Sequence, residues 1–181
     1  PQDFMARIKY KTTEAGSIHS VGVFFDSVEL RDCQAVYTAA GEKNSTVQVF
    51  HRQAGVEHYP SNGIVPYPVR INQEITLDLA VRGQQLNVWV NGDLAIAYAL
   101  PVTRKSGTFA LWTHAGAAEF SEVLIDPLPA EVAMAQNASE KTRSPFAPVT
   151  LSNVELALKL AQRSAILADR KLATARLDLA A

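Results

Sequence analysis

From Glu74 to Tyr98, apolar and polar residues alternate almost without interruption. Ile75, Leu77, Leu79 and Val81 share one parity. After the turn Arg82-Gly83-Gln84-Gln85, the residues Leu86, Val88 and Val90 face the same way. A period of two is that of a β-strand with alternate side chains entering a core. Asn91-Gly92 then supplies two residues that tolerate positive φ, the signal for a type I′ hairpin. Leu94, Ile96 and Tyr98 continue the alternation, followed by Phe109 and Leu111, then Phe120 and Ile125. The change of parity between Phe120 and Ile125 calls for a β-bulge. Turn residues at this spacing predict consecutive antiparallel strands of a β-sandwich.

The N-terminal part extends the pattern. Phe4, Ala6, Ile8 and Tyr10 alternate with Met5, Arg7, Lys9 and Lys11, and residues 18–25, 35–40 and 46–52 read as further strands. Residues 53–73 carry Gly55, Pro60, Asn62-Gly63, Pro66 and Pro68. They are expected to form a long loop with room for one short edge strand. The chain is therefore read as an all-β antiparallel sandwich of jelly-roll type over 1–128, with a C-terminal α-helical extension.

The boundary is the proline-marked Asp126-Pro-Leu-Pro-Ala130. Residues 129–151 are expected to be a linker in which a short helix could form around 130–138. Ser152-Asn-Val-Glu155 fits a capping box, and the helix it starts is expected to run over 152–181. Val154, Leu158, Ala161, Ala165, Ala168, Leu172, Ala175 and Leu179 recur there at 4,3 spacing, a coiled-coil seam. Its partner is expected to be a helix of neighbouring domains in a parent chain, or another copy through self-association.

The 181 residues are 48% hydrophobic and 19% charged, with a formal net charge of −1. That balance gives no general attraction to nucleic acid or to an anionic membrane. No apolar run reaches the roughly 18 residues of a membrane helix. Cys33 is the one cysteine, which leaves no intrachain disulfide and no multi-cysteine zinc site. The chain starts without Met and stops within the helical pattern, so a piece of a longer protein is expected.

Three segments carry a family resemblance: Leu86-Asn-Val-Trp-Val-Asn-Gly-Asp93, Ser106-Gly-Thr-Phe-Ala-Leu-Trp112 and Ala118-Glu-Phe-Ser-Glu-Val-Leu-Ile125. They resemble the closing strands of concanavalin A-like, laminin G-like jelly rolls, and His19-Ser-Val-Gly-Val-Phe-Phe25 is similar to an early strand of that fold. A sandwich followed by an Ala-rich helical segment also resembles part of large planctomycete proteins that carry cytochrome c-type domains. That resemblance implies export, secreted or periplasmic, within a multidomain chain.

For chemistry, the histidines His19, His51, His58 and His114 show no His-Glu-x-x-His or similar spacing, and no metal or cofactor is assigned. Retaining glucanases of this fold resemble one another in a strand with Glu-x-Asp-x-x-Glu; the nearest match here is Glu74-Ile-Thr-Leu-Asp78, two acids four apart on one strand face, without the third acid. The stretch Thr113-His114-Ala-Gly116 resembles a sandwich family with 3-keto-glycoside hydrolase activity. No catalytic residue is assigned on either ground.

A sheet face is the stronger lead. If Leu77, Leu79, Val88, Val90, Phe109 and Leu111 fill the core, then Asp78, Asn87, Trp89, Trp112 and His114 point away from it. Residues 46–52 add either Phe50 and Arg52, or His51, according to their parity. Aromatic rings stack on sugar C–H faces, and polar groups hold hydroxyls. Trp89, Trp112, His114, Asp78, Asn87 and Arg52 are the expected carbohydrate contacts of a non-catalytic binding or interaction module. Two alternatives stay open: a glycoside hydrolase-like domain, and a structural spacer whose tryptophans form a second small core under a loop or the helix.

Overall fold

The computed structural model describes residues 2–14, 19–41 and 45–147. The helix and coiled-coil seam expected over 152–181 lie outside the described residues. Eleven strands form among the described residues. They are β1 (Phe4–Thr12), β2 (His19–Val28), β3 (Asp32–Ala40), β4 (Thr46–Gln53), β5 (Val56–His58), β6 (Ile64–Pro66), β7 (Glu74–Arg82), β8 (Gln85–Val90), β9 (Asp93–Ala99), β10 (Thr108–His114) and β11 (Ala118–Pro127). One sheet has the order β11-β1-β7-β8-β9. The other runs β10-β2-β3-β4-β5, with β6 pairing the other part of the β4 edge. All pairings are antiparallel.

The two inner faces meet in one apolar layer. Ile8 and Tyr10 of β1, Val21, Val23 and Phe25 of β2, and Val47 and Val49 of β4 pack with Ile75, Leu77, Leu79, Val88 and Val90. The alternation read in β7 and β8 is thus the core itself. The turn between β8 and β9 has Asn91 at φ 53° and Gly92 at φ 91°, both left-handed, as a type I′ turn requires. The parity change in β11 is also explained. Tyr10 pairs with Phe120 and Lys9 with Glu122, so Ser121 is the bulged residue. Phe120 and Ile125 therefore both stand on the inner side, opposite Tyr10 and Ala6.

Two expectations change. The turn-rich stretch 53–73 holds two short strands, β5 and β6, where one was expected. No helix forms over 130–138: these residues are turns, bends and irregular backbone. Residues 128–147 lie across the outer face of the five-stranded sheet, and the compact unit continues to Ala147 rather than stopping near residue 128. The physical reason lies in backbone hydrogen bonding. The carbonyls that a helix would satisfy internally are satisfied by the sheet instead. Arg82 donates to Pro129 O at 2.6 Å and Val132 O at 2.7 Å, and Gln85 Nε2 donates to Ala135 O at 2.8 Å.

Candidate functional site

The residues expected to share one outer face are divided between two. Asp78, Asn87 and Trp89 stand on the outer face of the five-stranded sheet, and all three are fully buried beneath residues 128–147. Trp89 packs with Ala80 and Leu128, flanked by Met5, Leu94, Val132 and Met134, and its Nε1 donates to Thr142 O at 2.9 Å. Asn87 forms a reciprocal pair with the backbone of Ala135: Oδ1 accepts at 2.7 Å and Nδ2 donates at 2.9 Å. Asp78 accepts both arms of the Arg7 fork, at 2.7 and 2.8 Å, and a hydrogen bond from Ser144 Oγ. Phe146 lies under the same guanidinium, 4.8 Å from ring centroid to Cζ. Every polar group of the trio is turned to protein. They are the polar seam beneath this covering segment, not a ligand surface. Glu74, at the exposed start of β7, has in Asp78 a strand neighbour already occupied by Arg7.

Trp112, His114 and Arg52 lie on the outer face of the other sheet, and here the structure adds residues. Pairing places Trp112 beside Gly22, Gly22 beside Tyr37 and Tyr37 beside Gln48, all on one side of the sheet. Gly22 is required at its position, because a Cβ there would fall 2.5 Å from the Cβ of Tyr37. Phe24 stacks on Trp112 with centroids 5.3 Å apart and planes 17° from parallel. Tyr37 tilts against the same indole at 5.3 Å, and Phe50 meets it edge-on at 6.2 Å. Tyr59 continues the row from Phe50 at 5.2 Å and is 52% exposed. Phe50 is buried and Trp112 half-buried, so the rings form a floor that rises to an exposed end at Tyr59.

Polar groups border this floor. Tyr37 Oη donates to Gln48 Oε1, and Tyr59 Oη donates to Glu57 Oε2 at 2.6 Å. Arg52 pairs with Glu57 and donates to Leu30 O at 2.9 Å. The Glu57 carboxyl is held below its ordinary pKa, first by the Tyr59 hydrogen bond and then by Arg52. His114, on the opposite edge strand, is a further and smaller cause. Burial pushes the Tyr37 phenol up to about 12, which keeps it a neutral donor. The Trp112 Nε1 has no hydrogen-bond partner among the described residues. Cys33, on the same face beside Arg52, is a buried free thiol raised by desolvation, and so is not an activated nucleophile.

Phe24, Tyr37, Gln48, Glu57 and Tyr59 were not readable as site residues. Which sheet a strand joins decides their neighbours, and alternation alone carries no such information. Phe50 and Arg52 were reachable through the parity of β4, and the structure places both outward. Among the described residues, no group of three or more His, Cys, Asp or Glu side chains could hold a metal, and no helix is long and apolar enough to cross a membrane.

No protein-family model matches the chain, and no curated protein sequence does. Solved structures do. The carbohydrate-binding module CBM66 from Bacillus subtilis superposes with a TM-score of 0.60 at 16% identity, covering 70% of this chain and 76% of that one. Sheep galectin-11, in complex with glycerol, gives 0.55 at 16% identity, covering 69% and 90%. A mutant of the GH43 protein BlXynB from Bacillus licheniformis gives 0.55 at 10% identity, covering 71% of this chain but 28% of that one. At these identities the likeness is one of fold: an antiparallel two-sheet β-sandwich of jelly-roll type.

Proposed function

We propose that this domain is a carbohydrate-binding module whose site is the outer face of the six-stranded sheet. The observation that carries the reading is the continuous row of rings from Trp112 through Phe24, Tyr37 and Phe50 to Tyr59, bordered by Arg52, Glu57, Gln48 and His114. The exposed Tyr59 ring and the half-buried Trp112 and Phe24 offer stacking surface for pyranose or furanose C–H groups, with the buried Tyr37 and Phe50 rings behind them, and the Arg52–Glu57–Tyr59 cluster offers fixed donors and acceptors for hydroxyls. The names of the CBM66 and galectin structures support the same reading. Of the contacts expected from sequence, Trp112, His114 and Arg52 belong to this proposal. Placement in a larger exported protein rests on the sequence resemblance alone.

The hydrolase reading draws on the GH43 likeness. It is less favoured, because a glycosidase needs an acid of raised pKa opposite a second carboxylate about 5–9.5 Å away. Glu57, the carboxylate at this rim, has a lowered pKa and is tied to Arg52 and Tyr59. The deciding experiment is a glycan array followed by calorimetry on any hit. Binding that disappears in Trp112→Ala and Tyr59→Ala supports the proposal. Binding that survives both variants refutes it, and hydrolysis of a bound glycan would favour the hydrolase.

A further inference from the structure

The opposite side of the rim strand carries a second constellation, independent of the sugar reading. Gln34 pairs laterally with His51, and His51 with His58, across β3, β4 and β5. Lateral partners leave a sheet on the same side, so these three stand in a row on the side opposite Arg52 and Glu57. The two imidazoles lie 13° from parallel with centroids 5.1 Å apart. Two buried polar atoms in the row have no hydrogen-bond partner among the described residues: Nδ1 of His51 and Oε1 of Gln34, the latter on a residue only 4% exposed. Buried polar atoms without partners are uncommon and call for an explanation.

We infer that His51 and His58 form a two-histidine chelate for a late first-row divalent ion, Cu2+ foremost, with Gln34 Oε1 as the neighbouring oxygen donor and water completing the coordination. Imidazole nitrogen suits copper, nickel and zinc, and copper binds most tightly along the divalent series. Directly opposed residues on antiparallel strands have Cβ atoms about 4.5–5.5 Å apart, close enough for two imidazoles to converge on one ion. Convergence requires the stacked rings to turn toward a common point. His58 is exposed and makes that turn about its own side-chain bonds, while the half-buried His51 stays in place.

The consequence reaches the rim. β5 is three residues long and fully exposed, and it pairs only through the end of β4. An ion shared by His51 and His58 would fasten β5 to β4 from the side opposite Glu57.

The test uses Cu2+ alone, titrated into the full chain and followed by calorimetry and electron paramagnetic resonance, with no sugar present. One Cu2+ per chain with hyperfine coupling to two imidazole nitrogens is expected. His58→Ala should weaken binding at least about tenfold, the lower end of what loss of even an outer-shell partner costs, and should remove one nitrogen from the spectrum. The double variant His51→Ala/His58→Ala should abolish the site. Equal Cu2+ affinity in the unmodified chain and in His58→Ala overturns the inference, as does a spectrum without imidazole nitrogen. Should His51→Ala fail to fold, the exposed His58→Ala decides alone, with far-ultraviolet circular dichroism to confirm its fold. A failure here leaves the sugar site untouched, since that site is read out by glycan binding.

Discussion

Trp89 and Trp112 obey the same alternation and end on the outer faces of different sheets. Trp89 is fully enclosed, its ring against Leu128 and its indole N–H on the Thr142 carbonyl. Trp89→Ala should therefore cost about 3–5 kcal/mol of stability, the usual range for a buried tryptophan or phenylalanine, measured by urea denaturation. Any sugar affinity should persist in the fraction that stays folded. Tyr59 is the reverse case: it is half exposed, and its ring touches Phe50. Tyr59→Ala should change stability by no more than about 0.5 kcal/mol, as for most surface substitutions, yet weaken sugar binding in calorimetry. Arg7 shows how much one buried charge demands of its partner. It supplies both hydrogen bonds of the bidentate pair with Asp78, a side chain with no exposure at all. Arg7→Ala leaves that carboxylate uncompensated and should cost about 3–5 kcal/mol. Urea denaturation of the variant beside the unmodified chain measures the loss.

Two elements behave differently from their sequence appearance. The segment 128–147 looks like a linker, because it holds prolines and no sustained periodicity, yet it satisfies Arg82, Gln85, Asn87 and Trp89 through its backbone. A chain ended at residue 128 should lose most of its stability or fail to fold, whereas one ended at residue 147 should keep a cooperative transition. A shorter form that unfolds with an unchanged midpoint would show that the covering is dispensable. β5 is the second such element. Its His58 stacks on His51, whose pKa lies below the ordinary 6.5, first from burial and then from His58. A histidine with a depressed folded pKa contributes stability above its unfolded value and loses it as pH falls through the folded one. Stability should therefore decline as pH drops below about 6.5, the unfolded value of a histidine, and His51→Gln should flatten that limb in thermal melts. Glu57 acts in a lower window. Its depressed pKa makes its contribution complete above the ordinary 4.5 and lost in more acidic solution.

For the molecule as a whole, the inner layer was legible and the two outer faces were not. Ile75, Leu77, Leu79, Val88 and Val90 were readable as core because every second residue is apolar, and burying them is the main favourable term in folding. The Asn91-Gly92 hairpin and the bulge in β11 were readable for an equally local reason: backbone torsions and strand parity are properties of a few adjacent residues. The all-β sandwich follows from those signals. Outward positions carry no such signal, since a polar or aromatic residue pointing away from one core can meet solvent, a ligand or another segment. Asp78, Asn87 and Trp89 met residues 128–147, more than 35 positions away along the chain. Trp112 met Phe24, Tyr37 and Phe50 because β10 pairs with β2 in the sheet opposite β7 and β8. The sequence alone thus determined which side chains of β7 and β8 are buried between the sheets, through a two-residue period that needs no knowledge of partners, whereas Leu111 and Ile125 on the edge strands obey the alternation and stay exposed. Tertiary structure alone decided which outer face residues 128–147 cover and which carries the row of rings, because that depends on strand order and on contacts between residues far apart in the chain.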